Sequence, residues 1–402
     1  MAAQLVLDVV RLAIGYARMF WYFLSVASFL PWAVLIINGA KAVRAIPRLA
    51  DLPDGPVDEE TGKLSVVVAA RNEELHIEKA LRSLAMQDHA DYEIIVVDDR
   101  STDGTAEIVD RLAGEYPERI KPVHVTELPD GWLGKCNALH QGGEAASGEF
   151  ILFADADVEF QPSVLKRAHA YAAREEADQL AVIPENIVDS FWEKAMLNVF
   201  ALCFMLGFPP HRAMQRNSGR FIGVGAFNMI RMSMYRKVQG HRFLRLQVLD
   251  DVGLGKLVKF SGGRVRVAWG HGQVRLRWYE SLGHMIKGLE KNMFAATGYS
   301  AVKTVAMVVG VVIMFLWPWV GLWVGSTGAR VVAGLALLLQ IVTAGAAARR
   351  AGFSPMHGLT AIAGAALLVT ALVRSMVATL RNRGISWRDS FYALKDLKQF
   401  KL

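Results

Sequence analysis

The sequence predicts an α/β domain with a mostly parallel sheet, flanked on both sides by membrane-spanning helices. Strand-like and helix-like segments alternate through the middle of the 402-residue chain, and long apolar runs lie before and after them. Hydrophobic residues make up 53% and charged residues 21% of the chain. Soluble proteins have about 45–50% apolar and about 25% charged residues. The composition therefore favours a folded core with additional lipid-facing segments, and it excludes a disordered chain.

The net charge of +7 is unevenly distributed. Residues 51–300 have a formal net charge of −6, whereas the two flanks together carry +13. A nucleic-acid partner is therefore not expected, because the folded middle lacks the basic surface that phosphates require. The two cysteines, Cys136 and Cys203, are too few for a disulfide framework or a four-cysteine zinc site. The basic flanks instead suit the anionic headgroups of a membrane.

An apolar run near the N-terminus predicts the first membrane span. Met19–Ala40 contains no charged residue, and about 20 such residues cross a bilayer core as a helix. Lys41, Arg44 and Arg48 follow it, which indicates that this end faces the cytoplasm. A cleaved signal peptide is the alternative, but the run is long and no small-residue cleavage site follows it.

Three more apolar runs follow the middle region and predict further spans. They are Thr304–Ala329, Val331–Ala348 and Ala351–Val373. Buried helices of a soluble protein are the alternative. Three full crossings would leave the tail outside, yet the stretch from Arg374 to Lys401 contains seven basic residues, which favours the cytoplasm. One of the runs is therefore expected to be re-entrant or interfacial, and the sequence does not decide which.

The middle region alternates between strands and helices. We expect strands at Leu64–Ala69, Tyr92–Val97, Pro122–Val125 and Phe150–Ala154, and helices at Glu73–Leu84 and Thr105–Leu112. Such alternation implies a mostly parallel sheet with helices on its faces. The predicted organisation is a membrane helix with its juxtamembrane segment (1–50), a cytoplasmic domain (51–300) that begins with the polar linker Asp51–Lys63, and C-terminal membrane helices with a basic tail (301–402).

Acidic clusters follow two of the predicted strands. Asp98 and Asp99 follow the second strand, and Asp155 and Asp157 follow Phe150–Ala154. Parallel sheets bind ligands beyond the C-terminal ends of their strands. Carboxylates this close repel each other unless a cation or hydrogen-bond donors hold them. Oxygen ligands suit Mg²⁺ or Mn²⁺, typically shared with phosphate oxygens, so we expect such a site at this edge.

Five segments, in this order, resemble the family-two glycosyltransferases. They are VVVAARNEE (66–74), VVDDRSTDGT (96–105), GWLGKCNALHQG (131–142), FADAD (153–157) and LDDVGLGKLVKFSGG (249–263). The similarity extends from about Leu64 to Asn292. Members of this family have the GT-A fold and transfer a sugar from a nucleotide donor with inversion. The resemblance therefore implies a GT-A (nucleotide-diphospho-sugar transferase) domain and hexosyltransferase activity.

The resemblance also implies a donor site. Lys135 and Asn137 would approach the donor diphosphate or uracil, Asp157 would bind the bridging metal, and Asp155 would support the metal and the sugar or ribose. The implied cofactor is a divalent cation, Mg²⁺ or Mn²⁺, and the implied donor is a UDP-sugar. The residues that would line the nucleoside pocket are Ala70, Arg71, Asn72, Glu73, Asp98 and Asp99.

On the acceptor side, the resemblance makes Asp251 the general base, and Asp250 stands where many relatives have Glu. A solvated acid pair is the alternative. Arg277 and Trp278 are similar to the end of the family's Gln-x-x-Arg-Trp motif, so Arg277 would contact the diphosphate and Trp278 would line the acceptor site. Val274 occupies the Gln position, so no Gln-mediated contact is expected. Alternatively, Arg277 and Trp278 anchor a helix at the membrane surface.

Two apolar segments suggest where a lipid acceptor enters. Phe191–Phe208 is apolar enough for the membrane interface but short for a span, and Trp278–Phe294 has the pattern of an amphipathic helix. Core packing is the alternative for both. The histidines His241, His271 and His284 lack the spacing of zinc ligands and are interpreted as structural.

The sequence therefore predicts a multi-pass protein of the cell or inner membrane whose cytoplasmic domain transfers a sugar from a nucleotide donor to a lipid-like acceptor. The motifs are most similar to ceramide-glucosyltransferase-like enzymes and to hopanoid- or carotenoid-associated bacterial glycosyltransferases. A processive polysaccharide synthase is the first alternative, although about four spans are few for a translocating pore. A polyprenyl-phosphate glycosyltransferase is the second, and a cation-binding membrane scaffold is the non-enzymatic alternative.

Overall fold

The computed structural model describes residues 2–53, 62–388 and 390–399. Most of the predicted linker Asp51–Lys63, and Lys401 of the tail, lie outside the described residues. The helices are α1 (Ala2–Ala45), α2 (Ile77–Ala85), α3 (Thr105–Glu115), α4 (Gly134–Ala145), α5 (Val164–Arg174), α6 (Phe191–Gly207), α7 (Pro210–Ala213), α8 (Met232–Lys237), α9 (Gly240–Phe243), α10 (Asp250–Phe260), α11 (Leu282–Ala296), α12 (Ala301–Phe315), α13 (Trp317–Val320), α14 (Thr327–Arg350), α15 (Ala361–Asn382) and α16 (Leu394–Gln399). The strands are β1 (Leu64–Ala70), β2 (Tyr92–Asp99), β3 (Ile120–Val125), β4 (Phe150–Asp155), β5 (Val158–Phe160), β6 (Gln179–Ile183), β7 (Glu185–Asn186), β8 (Asn228–Arg231), β9 (Val265–Trp269), β10 (Val274–Leu276), β11 (Gly384–Trp387) and β12 (Ser390–Ala393).

The chain folds into two compact units that alternate along the sequence. The helical unit comprises Met1–Lys41, Asp189–Gly207 and Ser281–Ala378. The sheet unit comprises Ala42–Val188, Phe208–Glu280 and Thr379–Leu402.

A seven-stranded sheet forms the centre of the sheet unit. Its strand order is β3-β2-β1-β4-β8-β6-β9. The neighbours among β1 to β4 are parallel, as are β6 and β9, whereas β8 is antiparallel to both β4 and β6. The predicted mostly parallel sheet is therefore confirmed, and all four predicted strands are present.

Helices cover both faces of this sheet because successive side chains of a strand point in opposite directions. In β1, Val66 and Val68 belong to a core cluster that also contains Leu81 of α2. The intervening Val67 lies against Gly142 of α4. Apolar residues on both sides explain why β1 reads as a continuous run rather than an alternating one.

Helix α2 begins at Ile77, later than the predicted Glu73, because the preceding residues form a loop. Asn72 has a φ of 53°, which is incompatible with a right-handed helix. The backbone N–H groups of Asn72 and Glu73 donate to Ser101 Oγ (3.0 Å) and Thr105 Oγ1 (2.8 Å). The loop is therefore tied to the segment after β2.

The helical unit contains long apolar helices. Among the described residues, four helical stretches are long and apolar enough to cross a membrane: Gln4–Ala45, Phe191–Ala213, Thr327–Arg350 and Ala361–Asn382. Helices α11 and α12 pass the same test only as a pair, and they are bent by 116° at their junction. The predicted N-terminal span Met19–Ala40 lies within the first stretch. Phe191–Phe208, which the sequence suggested was short for a span, is part of the second.

Polar side chains link these apolar helices. The indole N–H of Trp32 donates to the carbonyl of Met314 (3.1 Å). The amide of Asn198 donates to the carbonyl of Ala344 (3.0 Å). Such bonds contribute to helix association in a bilayer, where burial of apolar surface does not drive it.

Two of the predicted C-terminal spans have different boundaries. Thr304–Ala329 is not one helix, because α12 ends at Phe315, Pro318 lies in the short α13, and Gly325 adopts a φ of 86° before α14. The predicted Ala351–Val373 becomes α15, which begins only at Ala361 because Pro355 opens a separate 3₁₀ turn. Pro and Gly interrupt a helix even where hydropathy is high.

Candidate active site

The carboxyl ends of β1, β2 and β4 meet at one edge of the sheet. Ala70 at the end of β1 is in register with Asp98 of β2, and Ala69 is in register with Asp155 of β4. Because these three neighbouring strands are parallel, the acidic residues that follow two of them converge where such sheets bind ligands.

Arginine residues surround the buried carboxylate of Asp99. Nη1 of Arg71 lies 3.6 Å from Asp99 Oδ2, and Arg100 donates to both oxygens of Asp99 at 2.9 and 3.2 Å. Asn72 accepts a hydrogen bond from the backbone N–H of Thr102 (2.8 Å) through its side-chain oxygen. The structure thus brings together the loops after β1 and β2, and a nucleoside pocket there stays a prediction.

Lys135, at the start of α4, joins acids from two other elements. Its Nζ donates to Asp155 Oδ1 at 2.7 Å and lies 3.8 Å from Asp250 Oδ1. Burial lowers the pKa of Lys135, but the charges of Asp155, Asp250 and Asp251 raise it well above its usual value. Lys135 is therefore a permanent cation within the acid cluster.

Asp250 and Asp251 open helix α10, and their carboxyls differ in protonation. Burial, and then the charge of Asp250, raise the pKa of Asp251 to about 7. For Asp250 the cost of burial is outweighed by Lys135 and His241, which lower its pKa. One carboxyl thus stays ionised while its neighbour titrates near neutral pH, which is the property required of a general base.

A glycine holds Asp251 in place. The backbone N–H of Gly225 donates to Asp251 Oδ2 at 2.8 Å. A Cβ atom at this position would lie only 2.8 Å from Asp155 Oδ2, so only glycine allows the backbone to approach both carboxylates. The predicted acid pair is therefore a buried, hydrogen-bonded site rather than a solvated one.

Asp157, between β4 and β5, is crowded by like charges. Burial, and then the charges of Asp155 and Glu73, raise the pKa of Asp157 to about 7. Within the described ranges, no three His, Cys, Asp or Glu side chains form a group that could hold a metal alone. Mg²⁺ is usually held by one or two carboxylates together with phosphate oxygens. The Asp155 and Asp157 oxygens therefore fit a divalent cation that is shared with a bound phosphate.

Strand pairing brings the predicted Arg277 and Trp278 towards these acids. β5 directly follows Asp157 and pairs antiparallel with β10, so that Val158 lies opposite Leu276. Arg277 then leaves β10 at the position beside Asp157. Trp278 packs against the core cluster and has its ring centroid 5.2 Å from that of Tyr279.

Tyr279 is a site residue that the sequence analysis missed. Burial, and then the charges of Asp157 and Asp155, raise the pKa of its phenol. Tyr279 directly follows the Arg277-Trp278 pair in the sequence, and that position was the available signal. Asn137 was predicted to approach the donor diphosphate or uracil. Its amide nitrogen is buried without a hydrogen-bond partner in the described part of the chain.

The C-terminal hairpin of β11 and β12 also reaches the nucleoside side. Arg388 donates a hydrogen bond to the Glu73 carboxylate. The phenol oxygen of Tyr392 accepts a hydrogen bond from the backbone N–H of Gly134 (3.2 Å) at the start of α4. The sequence analysis interpreted the tail only as a basic segment, and nothing in its spacing indicated these contacts.

The order of these motifs is matched by a known family. Residues 65–239 match the model of the family described as Glycosyl transferase family 2. The match extends from β1 past α8 and includes the acids after β2 and β4 as well as Lys135. These residues are therefore similar to a family 2 glycosyltransferase domain. Asp250 and Asp251 lie beyond the matched residues.

Two curated relatives are similar to about three fifths of the chain. The 4,4'-diaponeurosporenoate glycosyltransferase of Staphylococcus haemolyticus (strain JCSC1435) is 29% identical over 248 residues, which cover 61% of this chain and 64% of the relative. The protein of the same name from Staphylococcus aureus (strain USA300) is 29% identical over 252 residues, with the same coverage. The chain therefore spans slightly less than two thirds of the length of these relatives.

A solved structure has the same fold. The mannosyltransferase PcManGT from Pyrobaculum calidifontis, determined in complex with GDP-Man and Mn²⁺, gives a TM-score of 0.53 at 19% identity. The match covers 90% of this chain and 98% of that chain. The predicted GT-A fold is confirmed, together with apolar helices at both ends that are candidates for membrane spans.

Proposed function

We propose that this protein transfers a sugar from a nucleotide-sugar donor to a lipid acceptor at a membrane, with inversion and with Asp251 as the general base. The observation that carries this proposal is the cavity in which Asp155, Asp250 and Asp251 lie around Lys135. The family 2 domain supports sugar transfer. The GDP-Man in the PcManGT structure supports a nucleotide-sugar donor, and the names of the staphylococcal relatives support a carotenoid-type lipid acceptor.

The chemistry of the cluster suits this reaction. The loops after β1 and β2 would bind the nucleoside, and the cations of Lys135 and Arg277 would stabilise the charge that develops on the diphosphate. Asp155 and Asp157 would hold a divalent cation, which when bound helps to offset the same charge. An aliphatic hydroxyl is a weak nucleophile, so a carboxylate that accepts its proton is worth about 10²–10⁴-fold in rate.

In the proposed reaction, Asp251 takes up the proton that the acceptor hydroxyl loses. As the acceptor oxygen bonds to the anomeric carbon, Asp251 accepts the hydroxyl proton and the bond to the diphosphate breaks. Attack from the face opposite the diphosphate inverts the anomeric centre. Asp250 stays ionised throughout, and its charge keeps the pKa of Asp251 high enough to accept a proton near neutral pH.

The pH dependence of sugar transfer should report the ionisation of Asp251. Asp251 must be ionised to act, and burial raises its pKa to about 7. We therefore expect kcat/KM for the acceptor to fall about tenfold per pH unit below pH ~7 and to level off above it. The measurement is made at saturating donor and cation, so that Asp157 stays ionised, from about pH 5.5 to 8.5, with thermal unfolding followed at each pH as a control for folding. An acid limb near pH 4 would contradict this role.

The alternation of the two units along the chain constrains the membrane topology. All three segments of the sheet unit fold together, so they must lie in one compartment. The chain therefore crosses the membrane an even number of times between any two of them. Helix α6 alone connects Val188 to Phe208 and so does not cross. Between Glu280 and Thr379, helices α14 and α15 provide two crossings, which leaves the bent pair α11 and α12 re-entrant or interfacial.

This topology reconciles the basic tail with the three C-terminal runs. We propose crossings at α1, α14 and α15, with the sheet unit and the tail in the cytoplasm. The basic residues Lys41, Arg44 and Arg48 after α1 agree with this orientation.

Labelling of single cysteines would test the proposed topology. A membrane-impermeant maleimide added to intact cells should label Gly352→Cys, between α14 and α15, but not Trp323→Cys, between α13 and α14. Permeabilised cells should show labelling of both. Labelling of Trp323→Cys in intact cells would contradict the even number of crossings. The unsubstituted protein is the control for Cys136 and Cys203.

Nucleotide binding is the first test of the proposed function. We expect UDP or GDP to raise the thermal midpoint of the purified protein in detergent when Mn²⁺ or Mg²⁺ is present, and much less when it is chelated. A ligand at 100 times its Kd stabilises the native state by about 2.7 kcal/mol. A nucleoside monophosphate is the matched control. No protection by either diphosphate, with or without a cation, would contradict the proposal.

A further inference from the structure

His241 faces Asp250 on the side away from Lys135. We propose that His241 is a positioning residue for sugar transfer: its Nε2–H faces the Asp250 carboxylate and limits its rotation, and Tyr235 stabilises the tautomer that carries a proton on Nε2. The inference rests on the proposed function, but the residues concerned lie behind the acids rather than in contact with a substrate. The sequence analysis interpreted His241 as purely structural.

Two side chains lie near different oxygens of the Asp250 carboxylate. Nε2 of His241 lies 3.7 Å from Asp250 Oδ2, and Nζ of Lys135 lies 3.8 Å from Oδ1. Asp250 is 5% exposed and His241 is 1% exposed, so water does not compete for either oxygen. The carboxylate is thereby held between an imidazole and an ammonium group.

Tyr235 determines which imidazole nitrogen carries the proton. Its phenol oxygen accepts a hydrogen bond from the backbone N–H of His241 (3.3 Å) and lies 3.1 Å from His241 Nδ1. An ionised carboxylate can only accept, so the neutral imidazole is favoured with its ring proton on Nε2, facing Asp250. Nδ1 is then an acceptor, and the phenol O–H of Tyr235 donates to it. Burial lowers the pKa of His241, which favours this neutral form.

Packing holds both rings in this arrangement. The imidazole of His241 lies edge-to-face on Phe153, with ring centroids 4.6 Å apart. Gly240 has a φ of 40°, and a Cβ atom there would overlap the Tyr235 ring. Both rings are buried, and the order Tyr235, His241, Asp250, Lys135 forms a continuous relay of polar contacts.

This relay ends at the donor side of the site, because Lys135 also donates to Asp155. Without the Nε2–H, Asp250 would be free to turn from Lys135 towards the adjacent Asp251. The position of the base relative to the acceptor would then change, whereas the nucleoside pocket on the loops after β1 and β2 would not. The expected effect is therefore on kcat rather than on donor binding.

Two substitutions of similar size separate positioning from packing. His241→Gln keeps an N–H donor at the reach of Nε2, whereas His241→Met fills the space without a donor. The contact between His241 Nε2 and Asp250 Oδ2, at 3.7 Å, is longer than a hydrogen bond, so its loss is expected to have a moderate effect. We expect His241→Met to lower kcat about tenfold with donor KM unchanged, and His241→Gln to retain kcat within about twofold. Equal kcat in the two variants, whether normal or reduced, would overturn the proposal.

Tyr235→Phe provides a second readout that holds even if His241→Met folds poorly. Tyr235 acts only through His241, so Tyr235→Phe should lower kcat in the wild-type background but have no further effect in the His241→Met background. Independent, additive losses, or no loss in the wild-type background, would overturn the proposal. If the wild-type protein neither binds a nucleoside diphosphate nor transfers sugar, the proposed function fails instead. The two failures are thus distinguishable.

Discussion

Replacing Asp251 with asparagine is expected to lower kcat by roughly 10²–10⁴-fold. The amide keeps the size of the side chain and can still accept the hydrogen bond from Gly225, but it cannot accept the acceptor's proton. Nucleoside diphosphate binding should be unchanged or slightly stronger, because a buried negative charge is removed from the cluster. The measurements are kcat for sugar transfer and the Kd of the diphosphate on the same detergent-purified samples.

Asp88→Asn is the matched control for the Asp251 variant. Asp88 lies between α2 and β2, is largely exposed, and pairs with Lys166 at 3.4 Å. The same chemical change there should leave kcat at the wild-type value, since exposed ion pairs contribute little. If Asp251→Asn transferred sugar as fast as Asp88→Asn, Asp251 would not be the base.

Replacing Asp157 with asparagine is expected to remove the cation dependence of diphosphate binding. In the presence of Mn²⁺, the Kd should rise about 100-fold, to the value that the wild-type protein shows without a divalent cation. The reason is that Asp155 alone would remain to share the cation with the phosphates. A variant whose Kd still responded to Mn²⁺ as the wild type does would contradict the assignment of Asp157.

Asp157→Asn should also have a higher thermal midpoint than the wild type when no ligand is bound. Burial and nearby charges raise the pKa of Asp157 to about 7, so the ionised carboxyl destabilises the native state. This destabilisation is complete above pH ~7 and is lost below about pH 4, where the group is protonated in both states. The gain in thermal midpoint from Asp157→Asn should therefore be larger at pH 8 than at pH 5.

The strands that carry the acids could be predicted because their signal is local. β1, β2 and β4 are short runs of β-branched and apolar residues that end at a change to polar residues. Once the strands are taken as parallel, the convergence of Asp98, Asp99 and Asp155 follows from sheet geometry alone. The pairing Ala70 with Asp98 and Ala69 with Asp155 confirms that inference.

The rest of the site depends on contacts between distant segments, which no local pattern records. Arg388 and Glu73 are separated by 315 residues. The interpretation of His241 was incomplete for the same reason, since the spacing of histidines tests for zinc ligands but not for a carboxylate on another helix. Hydropathy likewise placed the C-terminal spans without regard to Pro318 and Pro355, which set the observed helix boundaries.

The anomeric configuration of the product tests the proposed function most directly. The full-length protein in detergent would be supplied with Mn²⁺, isotope-labelled nucleotide sugars and a native lipid extract, and the lipid-soluble product would be examined by NMR beside the same reaction with Asp251→Asn. We expect a glycosylated lipid whose anomeric configuration is opposite to that of the donor, formed only by the wild type. A product with retained configuration, or no lipid-linked sugar from any donor, would contradict inverting transfer to a lipid.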